Sequence, residues 1–213
     1  MRKALERWRA LPAAQRAMLA ALAALVVLVQ IRQPYPEIAW LQHVPTVALL
    51  LSAPFLLSRW PMSNAAVGCV LLFFALHTVG GRWTYSNVPY DQWAQALTGH
   101  PLSDLLGTDR NHYDRLVHFS YGALAILPVR EALSRHLGVT PRIALYIAIE
   151  SVLAVSALYE MFEWLLTLAL AGPLAAEYNG QQGDMWDAQK DMALAALGAA
   201  LSTAWQWRRR DGG

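Results

Sequence analysis

Three stretches of the 213-residue chain place acids and imidazoles where a helix puts them on one face. The first is Asn111-His112-Tyr113-Asp114-Arg115-Leu116-Val117-His118, in which Asp114 and His118 are i,i+4 neighbours. In the second, Glu160 and Glu163 are three residues apart, with Tyr159 beside them. In the third, Asp184, Asp187 and Asp191 are spaced i, i+3, i+7. A further imidazole, His77, stands just before Gly80-Gly81-Arg82. Carboxylates and imidazoles together suit a divalent cation such as Zn²⁺, Mn²⁺ or Fe²⁺. A metal with an open position lowers the pKa of its water to about 7 and makes a hydrolytic nucleophile. Crowded carboxylates also repel, so that one holds a proton near neutral pH and serves as acid or base.

On this chemistry His118, Glu160, Asp187 and Asp191 are the expected metal ligands. Asp114, Glu163 and Asp184 stand behind them as acid, base or supporting groups. Arg115 and Lys190 are cations in the same zone and suit a substrate phosphate or carboxylate. Each residue also has a plainer reading. Asp114 and Asp184 favour helix starts, where the dipole welcomes a negative charge. His118 can be a satisfied core histidine, and Glu160 and Glu163 can tie helices together through Arg115 or Lys190. Asp187 and Asp191 can be merely structural. His43, His77, His100 and His112 read singly as interface residues, Cys69 as core packing, and Glu131 with Arg130, Arg135 and Arg142 as a solvated inner loop. Glu150 is either a protonated buried acid or part of a proton route.

The elements that carry these groups are set by composition. Charged residues make up 15% and apolar ones 56%, with a mean hydropathy of +0.28. Soluble domains carry about 25% charge. A soluble globule, a disordered chain and a nucleic-acid binder are therefore excluded as leading classes. One cysteine excludes an internal disulfide and a Cys-based metal cluster. A hydrocarbon core about 30 Å thick needs roughly 20 apolar residues per helix. Six spans answer to that, at Ala17–Ile31, Ile38–Leu57, Ala65–Gly81, Tyr113–Val129, Ile143–Ala171 and Trp186–Trp207. The expected fold is an all-α polytopic bundle forming one transmembrane domain. The stretch from Arg82 to Asn111 is its one long outer loop, and it contains two short helical segments that form either a lid or an ordinary connection.

Six spans put both termini on one side. With the termini cytoplasmic, 12 of the 17 basic residues fall inside, as the positive-inside rule requires. The net charge of +2 then separates into +9 inside, −6 outside and −1 at Glu150 within the membrane. Four spans thus bring His, Asp or Glu to the outer leaflet, where ionisable groups are costly and usually functional. Small residues at Gly122, Ala195, Ala196, Gly198 and Ala199 fit close packing of the fourth and sixth spans.

Longer motifs carry a resemblance. Arg110 to Arg115 with His118-Phe119 and Gly122, then Pro128-Val129-Arg130-Glu131, Ser156 to Trp164, and Gly180 to Met192 resemble the signature of the YjdF-like bacterial inner-membrane proteins. His77, Gly80, Tyr85 and Val88-Pro89 fit the same pattern, and the likeness spans roughly residues 65–204. A looser similarity links the chain to VanZ-like membrane proteins. The resemblance implies a multi-pass helical protein of the bacterial inner membrane and brings no activity with it.

Three functions remain open on these grounds. One is a metal-dependent hydrolase or transferase acting on a lipid or envelope substrate from the outer side. The second is an ion-coupled transporter, which needs polar groups through the whole thickness, whereas Glu150 is nearly alone in the inner half. The third is a structural or partner-binding protein whose polar cluster fixes helix packing. The cofactor expected under the first is a divalent metal of unspecified identity. The expected partner is the lipid bilayer, with a lipid or envelope substrate under the first reading and no nucleic acid; the sequence does not identify a protein partner.

Overall fold

A computed structural model describes residues 2–170 and 181–211, apart from a few side chains at the segment ends. Among the described residues the chain forms nine helices and no strand. They are α1 (Arg2–Ala10), α2 (Ala13–Val29), α3 (Pro36–Arg59), α4 (Asn64–Arg82), α5 (Tyr90–Thr98), α6 (Leu102–Leu106), α7 (Tyr113–His136), α8 (Pro141–Leu170) and α9 (Asp187–Asp211). Each of the six expected spans corresponds to one long helix, α2 to α4 and α7 to α9. The expected end of the fifth span, at Ala171 before Gly172-Pro173, lies outside the described residues. By length and composition α3, α4 and α8 are long and apolar enough to cross a membrane, and α2 is a shorter apolar helix.

Contacts between helix ends define the two ends of the bundle. At one end Gln15 of α2 donates to the Met62 carbonyl (2.9 Å) and to Asn64 Oδ1 (3.1 Å). His136 of α7 lies 3.1 Å from the Pro61 carbonyl, and Arg142 of α8 covers the ring of Trp207 at the far end of α9. Arg7 of α1 stacks over Phe55 at the same end. At the opposite end Arg82 of α4 binds the Val29 and Ile31 carbonyls that close α2. The long helices therefore alternate in direction, and α1 and the end of α9 share one end.

Two cores hold the bundle. Leu19, Leu22, Ala53, Val67 and Leu71 join α2, α3 and α4. Ile126, Leu145, Ala148, Val152, Ala195 and Ala199 join α7, α8 and α9. The closest pair is α7 with α9, where the backbones touch. A Cβ on Gly122 would collide with the Ala195 carbonyl, and one on Gly198 with the Phe119 carbonyl. The small-residue stripe therefore packs as its composition implies, because only glycine leaves room for main chain against main chain. The outward faces are apolar, as at Leu51 (79% exposed) and Leu168 (65%). A surface of that kind needs a bilayer around it.

Helix ends differ from the sequence expectation for local reasons. Helix α7 runs seven residues beyond Val129, because Arg130, Glu131 and Arg135 continue the helix past the apolar stretch. It stops where Gly138 takes φ +68° and Val139 N–H bonds back to the Leu133 carbonyl. Glu131 is also not a solvated loop residue. Its two oxygens accept from Ser63 N–H (2.6 Å) and Ser63 Oγ (2.5 Å), while Ser63 Oγ accepts from Ala66 N–H as the N-cap of α4. In the loop, α5 and α6 form near the two expected stretches. Asp91 ties them by accepting from Ser103 N–H (2.9 Å), and both helices are without buried residues.

Candidate functional site

The first turns of α7 carry Asp114 and His118 into the bundle, 8% exposed each. Asp114 Oδ1 lies 3.6 Å from His118 Nε2, and Glu160 Oε1 of α8 lies 3.7 Å from His118 Nδ1. Both separations are slightly beyond hydrogen-bond length. Asp191 of α9 is 2% exposed and completes the group. One ligand-type atom each from Asp114, His118 and Asp191 falls within 4.8 Å of the others. Asp191 Oδ1 and Glu160 Oε1 are buried without a hydrogen-bond partner. Buried acids with unused acceptor atoms facing an imidazole are the donor set a divalent cation takes. Tyr159 meets the His118 ring edge-on at 5.9 Å and hydrogen-bonds Glu163 beside it.

The remaining acids are engaged otherwise. Asp187, 4% exposed, pairs with Arg110 and lies 3.5 Å from Arg115 Nη2. Asp184 accepts from Arg115 Nη2 (2.5 Å), Lys190 Nζ (2.6 Å) and Trp186 N–H (3.1 Å). The Lys190 ammonium, with the Trp186 N–H, holds the Asp184 carboxyl well below the usual carboxylate range. Arg115 and Lys190 thus converge on Asp184, which precedes the start of α9. Of the sequence-derived candidates, His118, Glu160, Asp191 and Asp114 come together. Asp187, Asp184, Arg115 and Lys190 form an ion-paired collar around them, and Glu163 flanks Glu160.

The collar also includes residues whose types and spacing carry no chemical signal in the sequence. Arg110 binds Asp187 and donates to the Gln181 carbonyl (2.5 Å). Asn111 and Gln182 bond reciprocally, N–H to Oε1 and Nε2 to carbonyl, both at 2.9 Å. His112 N–H donates to the Tyr90 hydroxyl (2.8 Å), and Asn111 Nδ2 to the Val88 carbonyl (2.8 Å). Partial burial, then the Arg115 and Arg110 charges, push the His112 imidazole below its ordinary value. Three loop segments are stitched over the start of α7 this way. Arg110 and Asn111 had stood out in the sequence only as part of a motif, since a cation far along the chain from its acid leaves no local spacing signal.

A second polar group lines α3 and α4 at the same end. His77 Nε2 meets the Gln42 carbonyl (2.7 Å), its Nδ1 meets the Tyr85 hydroxyl, and Thr46 and Thr78 hydroxyls bond at 3.2 Å. His77 faces the same cavity as Asp114 and His118, but both of its nitrogens are occupied. His43 is not an interface residue: it is 4% exposed beside Gly81. Glu150 is exposed on the outward surface of α8.

Comparison with known proteins adds the family. Residues 14–212 match the model of a family described as "Predicted membrane protein (DUF2238)". The chain is 34% identical over 167 residues to the "Inner membrane protein YjdF" of Escherichia coli (strain K12), covering 78% of this chain and 76% of that protein. No solved structure matches.

Proposed function

The chain belongs to the DUF2238 family of predicted membrane proteins, and from that starting point we propose that it is a metal-dependent hydrolase or transferase of the bacterial inner membrane, acting on a lipid or envelope substrate. The observation that carries the reading is the buried convergence of Asp114, His118 and Asp191 from two helices, with acceptor atoms of Asp191 and Glu160 left unpartnered. Ionisable groups buried in a membrane bundle are costly and seldom kept without use. In this reading Asp114, His118 and Asp191 hold a divalent cation, whose chemistry is a water of lowered pKa ready to attack. Glu160 lies against the other nitrogen of His118 and fixes the imidazole's tautomer and orientation, as a carboxylate behind a ligating histidine does. Glu163, beside it, is the acid or base, and Asp187 is a positioning residue held by Arg110 and Arg115.

We place the site near the periplasmic face, with the termini cytoplasmic, because the basic residues then concentrate inside. The outward position of Glu150 on α8 takes it off any polar path through the bundle and speaks for chemistry at one end over transport. The test is metal content by mass spectrometry on detergent-purified protein, with His118→Ala and Asp191→Asn in parallel. About one equivalent of Zn, Mn or Fe per chain, absent from both variants, is the expected result. A metal-free native protein purified without chelator overturns it. A reporter fused in the Arg82–Asn111 loop is expected to report a periplasmic location, and a cytoplasmic signal overturns the orientation.

A further inference from the structure

A groove of about 1000 Å³ starts at this cluster and runs the length of α7. Along α7 it is lined by Asp114, His118, Tyr121, Ala125, Pro128 and His136, residues that recur on one face. From His118 to Leu133 that face extends about 22 Å, more than the half of a roughly 30 Å hydrocarbon core that one leaflet's tails fill. The polar groups collect at one end, where His77, Tyr85 and Tyr159 join Asp114 and His118. Ser156 is there too, 2% exposed, with its hydroxyl unpartnered. At the far end His136 lies against the Pro61 carbonyl (3.1 Å); the rest of the wall is apolar, and its rim at Leu56, Trp60, Val155 and Leu137 is exposed on the outward surface.

We propose that this groove holds one hydrocarbon chain of a bilayer phospholipid, laid along α7 with its polar head at Ser156, His118 and Asp114. The proposal rests on the reading of the cluster as a reaction site and names its substrate class. A polar envelope polymer gains little from a mainly apolar trough with most of its polar groups at one end. A lipid tail gains more, at about 0.8 kcal/mol per buried CH₂. The exposed apolar rim opens the groove sideways to the bilayer, so the chain slides in without leaving hydrocarbon.

The test uses the full chain in vesicles of phosphatidylethanolamine and phosphatidylglycerol. A trace of phosphatidylglycerol carries a photoactivatable diazirine either at the tail end or beside the glycerol. The tail-end probe is expected to label around Trp60 and Leu133, and the glycerol-side probe around Tyr121 and Tyr159. Ala125→Trp, which fills the groove midway, should reduce groove labelling about tenfold while leaving metal content unchanged. Ala154→Trp, on an exposed position of α8, should change neither. Labelling spread evenly over all outward faces, or unchanged by Ala125→Trp, overturns the inference. Should Ala125→Trp fail to fold, the native protein still decides. Cys69, the single cysteine, lies on the groove wall, and saturable protection from N-ethylmaleimide by added phosphatidylglycerol is expected. No protection overturns the proposal. Groove labelling by a protein without metal leaves the lipid site standing and removes the hydrolase reading; metal without groove labelling does the reverse.

Discussion

Replacing Asp187 by Asn separates two ligand sets. Spacing alone puts Asp187 among the metal ligands; the geometry gives its carboxylate to Arg110 and Arg115 and puts Asp114 in its place. Asp187→Asn keeps the shape and removes one charge. Arg115 retains Asp184 at 2.5 Å and Arg110 retains the Gln181 carbonyl, so neither guanidinium is stranded. Their side chains are 18% and 11% exposed. The cost is therefore that of a charge-assisted hydrogen bond, about 1.5–3 kcal/mol, below the 3–5 kcal/mol of a fully uncompensated buried ion. Loosening the start of α9 also lets Asp191 drift, one turn further on. Loss of an outer support of that kind weakens metal binding by about 10–100-fold. Asp191→Asn and Asp114→Asn remove proposed ligands outright and should abolish stoichiometric binding. The assay strips the metal with chelator and titrates it back, with thermal melting in detergent read alongside. Equal and complete loss of metal in Asp187→Asn and Asp191→Asn, with melting unchanged, would refute the geometric assignment and restore Asp187 as a ligand.

Other outcomes follow from individual contacts. Gly198→Val forces a side chain into the Phe119 carbonyl and should cost at least about 1–3 kcal/mol; a normal melting temperature would show that α7 and α9 are not in backbone contact. Glu131→Ala leaves Ser63 N–H without its acceptor, so melting should report a loss of about 1–3 kcal/mol, with metal content untouched. The Asp184 carboxyl is held below its ordinary value by Lys190 and Trp186 N–H, so its contribution is complete above the ordinary carboxylate pKa of about 4 and is lost as pH falls below it. Protease resistance of the segment around residues 181–187 should therefore drop below about pH 4, and Asp184→Asn should show low resistance at every pH.

The class, the helices and the polar end were set by composition and local spacing. Apolar runs of membrane length specify helices whatever surrounds them, because unsatisfied backbone groups are too costly in hydrocarbon. Asp114 with His118 was legible for the same reason, since i,i+4 contact follows from the helix itself. The close approach of α7 and α9 was visible in Gly122 and Gly198, because a missing side chain within a helix is a local property that lets a second main chain come close.

Partnerships across the chain had no such signature. Nothing near Asp187 announces Arg110, 77 residues away, and nothing near Glu131 announces Ser63, 68 residues away. Local spacing therefore places Glu131 in solvent, and it gives no sign that Asp187 is paired with Arg110 and Arg115. The groove was likewise illegible, since it is a space between four helices whose separations depend on how both cores pack. The sequence by itself determined which residues are costly to bury and at which end they gather. Only the tertiary structure decided which of those acids are neutralised by arginine and which face His118, because that depends on where helices distant along the chain are brought into register.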